Sequence, residues 1–153
     1  MHVALRQAAF DPYREIAAYE ATLSYTGKAG ASATFIGTMR DFNDGRRVFG
    51  MTLEHYPGMT EKHLDEIAQT AAARWSLIDG LVLHRTGEIG IGEAIVVVAV
   101  WSAHRGDALD AVRFIIEDLK ARAPFWKKER LETGEEWVSS NTSGYASPRG
   151  AAR

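Results

Sequence analysis

No cysteine occurs among the 153 residues. Its absence removes disulfides, thiolate metal sites and cysteine nucleophiles together. Any sulfur chemistry performed here must therefore import its sulfur. Long hydrophobic runs are missing too. The longest, Ala94 to Trp101, falls far short of the ~20 apolar residues that span a bilayer. The opening stretch MHVALRQAAFDPYRE has no apolar segment of signal-peptide length, so a cytoplasmic location is expected. A strong charge of one sign is also lacking. The formal net charge is −2, which gives no support for a general nucleic-acid binder, normally basic throughout. His55, His63 and His84 show no metal-ligand spacing with one another, and no metal site is expected.

What is present is enough for a core, since 46% of the residues are apolar. The length suits one domain, expected over residues 1–140. Residues 141–153 are small and polar and read as a mobile tail. Asp11-Pro12 reads as a helix N-cap followed by proline at the first helical position, with a helix to about Leu23. Ala31, Ala33, Phe35 and Met39 alternate with polar residues as a strand does. Asp44-Gly45 is a hairpin signal, with Phe49, Met51, Leu53 and His55 on the return strand. Thr60 is placed to cap a helix bearing Leu64, Ile67, Ala68, Ala71 and Trp75 on one face. Leu81 to Arg85 reads as a strand, Gly87 to Gly92 as a looped region, and Ala94 to Trp101 as a buried strand. A helix capped by Ser102 or Asp107 follows, with Ala108, Leu109, Val112, Ile115, Ile116 and Leu119 at helical spacing. Gly134 marks a turn before an edge strand at Glu136 to Val138. The mixture is α+β rather than regular βαβ alternation.

Against this even background one segment is concentrated. Leu119 to Arg130, LKARAPFWKKER, holds five cations and one acid, Glu129, a local charge of +4. Such a patch argues for an anionic partner. Pro124 ends the preceding helix, so Lys120 belongs to its last turn and Lys127 lies just beyond the break. A lysine partly buried near other cations has a lowered pKa and can act as base or nucleophile. The plainer reading is a cation set against the helix dipole. Lys128 and Arg130 read as a solvated charge run.

Two further places carry candidates. His104 and Arg105 follow a buried strand and open a helix, where unpaired N–H groups and the dipole favour anions. A locally packed histidine beside a solvated arginine remains the alternative. Arg40 opens the DFNDGRR loop at a strand end, a common place for functional residues; Arg46 and Arg47 read as solvated.

Taken together, EHYPGMTEKHL (Glu54 to Leu64), SAHR (Ser102 to Arg105) and LKARAPFWKKE (Leu119 to Glu129), with FIGTMRDFNDG (Phe35 to Gly45), resemble the large, catalytic subunits of molybdopterin synthase, the MoaE family. The resemblance spans about Ala31 to Val138. It implies an α+β hammerhead-type fold and a homodimer core. A small ubiquitin-like sulfur carrier, ending in Gly-Gly with a thiocarboxylate, docks at each end of that core. It implies transfer of two sulfurs to cyclic pyranopterin monophosphate, forming the dithiolene of molybdopterin, with no cofactor bound by this chain. The matching positions are Lys120 and Lys127 as catalytic lysines, and Arg40, His104 and Arg105 as binders of the pterin and its phosphate. Phe35 matches a pocket wall. The missing cysteine and an end at Gly150 to Arg153 rather than Gly-Gly fit the division of labour. One departure is Asp41, where a neutral asparagine is expected; an acid there can pair with Arg40. Two competing readings are a dimeric scaffold that captures a carrier tail without chemistry, and a single-stranded RNA binder stacking bases on Phe125 and Trp126.

Overall fold

A computed structural model describes residues 1–140. The tail expected at 141–153 lies outside the described residues. The chain runs β1 (His2–Arg6), α1 (Pro12–Glu20), β2 (Ala31–Thr38), β3 (Phe42–Asn43), β4 (Arg46–Arg47), β5 (Gly50–His55), α2 (Met59–Arg74), β6 (Leu77–Arg85), β7 (Gly87–Ile89), β8 (Ala94–Ser102), α3 (Arg105–Arg122), β9 (Phe125–Leu131) and β10 (Gly134–Val138). This is the α+β mixture expected. No helix among the described residues is long and apolar enough to cross a membrane.

The first sheet has the order β1-β6-β8-β2, with β1 parallel to β6 and the other pairs antiparallel. The valine-rich run supplies its central strand β8, and both faces of that strand are covered. Val96, Val98 and Val100 meet α2 and α3, while Val97, Ala99 and Trp101 face α1. A strand buried on both sides has no polar face to show, which is why its sequence reads as unbroken apolar residues. The second sheet, β10-β9-β5-β7, is antiparallel throughout. It covers a smaller core of Met39, Val48, Met51, Leu53 and Ile89. Phe125 packs against this cluster and against the helix-side core of the first sheet.

Several local expectations need correction. Asp44 and Gly45 take positive φ as a two-residue hairpin turn demands, but the ladder holds only Phe42↔Arg47 and Asn43↔Arg46. The return strand β5 does not rejoin β2. Met39 leaves the first sheet to bury its side chain in the second core, and the chain follows it there, placing β5 between β9 and β7. Thr60 is not a cap. Gly58 is the N-cap residue of α2, with its N–H donating to the Glu61 carboxylate at 2.7 Å. Thr60 is fully buried; its hydroxyl accepts from Tyr56 N–H at 3.0 Å and donates to the Pro124 carbonyl at 3.1 Å. Neither Ser102 nor Asp107 is the N-cap residue of α3; His104 is. Ser102 instead hydrogen-bonds the Ser76 carbonyl and is buried. The strands β1, β7 and β9 were not expected. The stop of α3 is where Pro124 requires it, with Ala123 extended at φ −69°, ψ 128°.

Candidate active site

The end of α3, the start of β9, the end of β2 and the β3–β4 hairpin enclose a cavity of about 390 Å³. Helical spacing brings Ile116, Leu119, Lys120 and Ala123 to its wall from α3. Because Pro124 breaks the helix, the next residues run as a strand, and period-two alternation takes over. Phe125, Lys127 and Glu129 all face the cavity. The cross-strand partners Leu53 and Met51, opposite Lys127 and Glu129, face it as well. The helix–proline–strand junction therefore sets two lysines from different elements against one space. Thr60 fixes the junction from outside by holding the Pro124 carbonyl.

The two lysines are unlike each other. Lys120 is exposed by area because it faces the open cavity, yet protein atoms crowd its ammonium. Its pKa is lowered from the ordinary lysine value, first by this loss of hydration and second by the charge of Lys127. Lys127 instead lies 3.1 Å from the Glu129 carboxylate. Glu129 is only 2% exposed and also accepts from the Asn43 side-chain amide at 2.8 Å. A buried carboxylate is tolerated when it is paired and hydrogen-bonded in this way. Behind them His84, on β6, is likewise 2% exposed and lines the cavity. Its ring stacks on Phe125, with centroids 4.1 Å apart and an interplanar angle of 15°.

Of the residues singled out in the sequence, Phe35, Arg40, Lys120 and Lys127 line this cavity. The Arg40 guanidinium lies 4.8 Å over the Phe42 ring. No ion pair joins Arg40 to Asp41 among the described residues; the Asp41 carbonyl accepts from Val48 N–H instead. His104 and Arg105 are elsewhere. Both are exposed at the opposite end of α3, and sixteen helical residues from His104 to Lys120 span about 24 Å. Lys128 and Arg130 are not a simple solvated run: Lys128 pairs with Glu135 at 2.8 Å, and Arg130 pairs with Glu88. Arg46, read as solvated, pairs with Glu136 at 2.8 Å. Glu129, Asn43 and His84 also line the cavity, and none of them was among the candidate site residues. Alternation of Phe125, Lys127, Glu129 and Leu131 was the available signal for the first.

The chain is similar in sequence and fold to known proteins. The family model described as MoaE protein matches residues 6–122. A molybdopterin synthase catalytic subunit from Pseudomonas aeruginosa is 50% identical over 146 residues, 95% of each chain. Among solved structures, a molybdopterin biosynthesis MoaE protein from Burkholderia ambifaria superposes with a TM-score of 0.75 at 42% identity, covering 93% of this chain and 92% of the other. A molybdopterin synthase structure from Staphylococcus aureus gives 0.76 at 31% identity, covering 88% and 95%. Sequence and fold agree, and the chain belongs to the MoaE family.

Proposed function

We propose that this chain is the catalytic subunit of a molybdopterin synthase. It would transfer sulfur from the C-terminal thiocarboxylate of a small ubiquitin-like carrier to cyclic pyranopterin monophosphate, forming the dithiolene. The observation that carries the reading is two lysines facing one cavity, Lys120 with a lowered pKa and Lys127 ion-paired to Glu129. Lys120, whose pKa is lowered by burial and by the charge of Lys127, gives up a proton more readily than an ordinary lysine and would serve as the proton-transfer group beside the thiocarboxylate. Lys127, held by Glu129, is a fixed cation for the anionic intermediates of sulfur transfer. Fixed charges of this kind lower a barrier because they need no reorganisation during reaction. Phe35 forms cavity wall, and Arg40 supplies a further cation.

His104 and Arg105 join this reading through a second copy of the chain. At about 24 Å along α3 they cannot touch a substrate held at Lys120 of the same protomer. A homodimer that sets the start of one α3 beside the end of its partner's would place them on the substrate phosphate.

The test is to incubate the chain with a thiocarboxylated carrier and cyclic pyranopterin monophosphate and seek the dithiolene by mass spectrometry. Product should depend on the carrier. Lys120→Ala and Arg105→Ala proteins, each inactive alone, should regain part of the activity when mixed and allowed to exchange protomers. Equal rates with free sulfide would contradict carrier-dependent transfer. Absence of recovery on mixing would contradict the shared site.

A further inference from the structure

His84 has no role in the chemistry above, yet it is built into the cavity with unusual care. It follows Val82 on the helix-facing side of β6 by strand alternation, and burial is almost complete. Its Nδ1 lies 2.8 Å from the Arg85 carbonyl. A carbonyl only accepts, so Nδ1 must carry the hydrogen, and in the neutral ring Nε2 is left as a pure acceptor. The stack on Phe125 fixes the ring plane. Among the described residues Nε2 makes no hydrogen bond, and it is not among the buried polar atoms left without a partner. It therefore opens on the cavity that His84 lines. Burial and the nearby charge of Lys120 push the imidazole pKa down to about 4, so the acceptor persists at neutral pH.

Around it the wall is apolar, built from Val96, Ile116, Leu119 and Leu53. The charged groups facing the same space are Lys120, Lys127, Arg40, Glu117 and Glu129. The cations offer only donors. They cannot accept from the ring edge of a pterin, which presents N–H donors, and the Glu129 carboxylate is already engaged by Lys127 and Asn43.

We infer that His84 is a substrate-orienting residue, its Nε2 accepting a hydrogen bond from a ring N–H of the heterocyclic substrate. The inference rests on the function proposed above and adds a contact at the non-phosphate end. A fixed acceptor beside that apolar wall, unlike the exposed Glu117 carboxylate, discriminates strongly, because a ligand without the donor leaves it buried and unpaired.

The experiment uses full-length protein labelled with ¹⁵N-histidine, with His84 assigned by its loss in His84→Gln. In the free protein, the Nε2 resonance should lie in the lone-pair range at pH 7. Saturation with cyclic pyranopterin monophosphate, verified by equilibrium dialysis, should move it toward the hydrogen-bonded range. The carrier with a plain carboxylate terminus should leave it in place. A resonance unmoved by saturating pterin, or moved by the carrier alone, overturns the assignment. In kinetics, His84→Phe keeps a ring to stack on Phe125 but removes the acceptor, and KM for the pterin should rise tenfold or more with KM for the carrier unchanged. His84→Gln, which returns an oxygen near the Nε2 position, should recover to within about threefold. If wild-type protein makes no dithiolene the proposed function fails. If it does and the resonance stays still, only the His84 contact fails.

Discussion

Burial sets Lys120 against the stability of its own fold. A crowded ammonium is unfavourable in the folded chain, and that cost is fully present below the folded pKa. It fades as pH rises from there toward 10.5, the ordinary value. What folding loses, catalysis can use, since a lysine with a lowered pKa supplies more free base near neutrality. Arginine cannot substitute for that property because it does not deprotonate in proteins. Lys120→Arg should therefore lose turnover nearly as completely as Lys120→Ala, about a hundredfold or more. In the wild type, kcat/KM should climb with pH through a pKa below 10.5, and this limb should vanish in both variants. Retention of most activity by Lys120→Arg would reduce Lys120 to a simple cation. The stability of either variant should stay within about 1 kcal/mol of wild type, the scale of a helix-dipole interaction, as read by urea unfolding at pH 7. At this scale the sequence located both lysines at the break after α3 and was silent about their supports. Glu129 sits inside a charge run, where acids are usually solvated. Only the strand that buries it, paired with Lys127 and Asn43, distinguishes it. His84 was weighed only as a metal ligand, a question of spacing that does not touch what its ring nitrogens do.

Among the elements, those with strong periodicity could be read directly: α1 with its Asp11 cap, α2, α3 with its proline stop, and the valine strand β8. Those whose form depends on partners could not. β9 is so rich in charge that its alternation is masked until β5 and β10 flank it. β1 and β7 are short and gain their hydrogen bonds only from distant chain. The caps expected of α2 and α3 failed for a related reason. Thr60 has a capping residue's chemistry, but its hydroxyl is drawn to Pro124, 64 positions away, and an isolated stretch of sequence cannot reveal that competition. This hydroxyl is the only side-chain group hydrogen-bonded to the Pro124 carbonyl among the described residues, and so it braces the junction between the two lysines. Thr60→Val keeps the shape and deletes both hydrogen bonds. It should cost about 1–3 kcal/mol, because the Pro124 carbonyl and the Tyr56 N–H each lose a partner. Turnover should fall more than substrate affinity, since the brace governs alignment rather than contact. A variant as stable and as active as wild type would show that the junction holds itself.

At the level of the whole molecule, the class and the family were accessible because three separated motifs kept their order and spacing. The arrangement of two sheets was not, because the Asp44-Gly45 turn suggested one continuous hairpin. The first sheet carries a hydrophobic cluster on each face and the second sheet covers one, and Phe125 packs against the helix-side cluster of the first and the cluster of the second. The consequence concerns cooperativity. Two cores joined at few points would melt separately, whereas a shared aromatic makes the loss of one expensive for the other. The wild-type chain should therefore unfold as one unit. Phe125→Ala should uncouple the halves. With single-tryptophan reporters, Trp101 in the first sheet and Trp126 in the second, the urea curves should coincide for the parent and separate in the variant. Coincident curves in Phe125→Ala would place the coupling elsewhere. If they separate, the residue that walls the cavity is also the one that makes the domain fold all at once, and the candidate site lies on the seam along which the molecule would otherwise come apart.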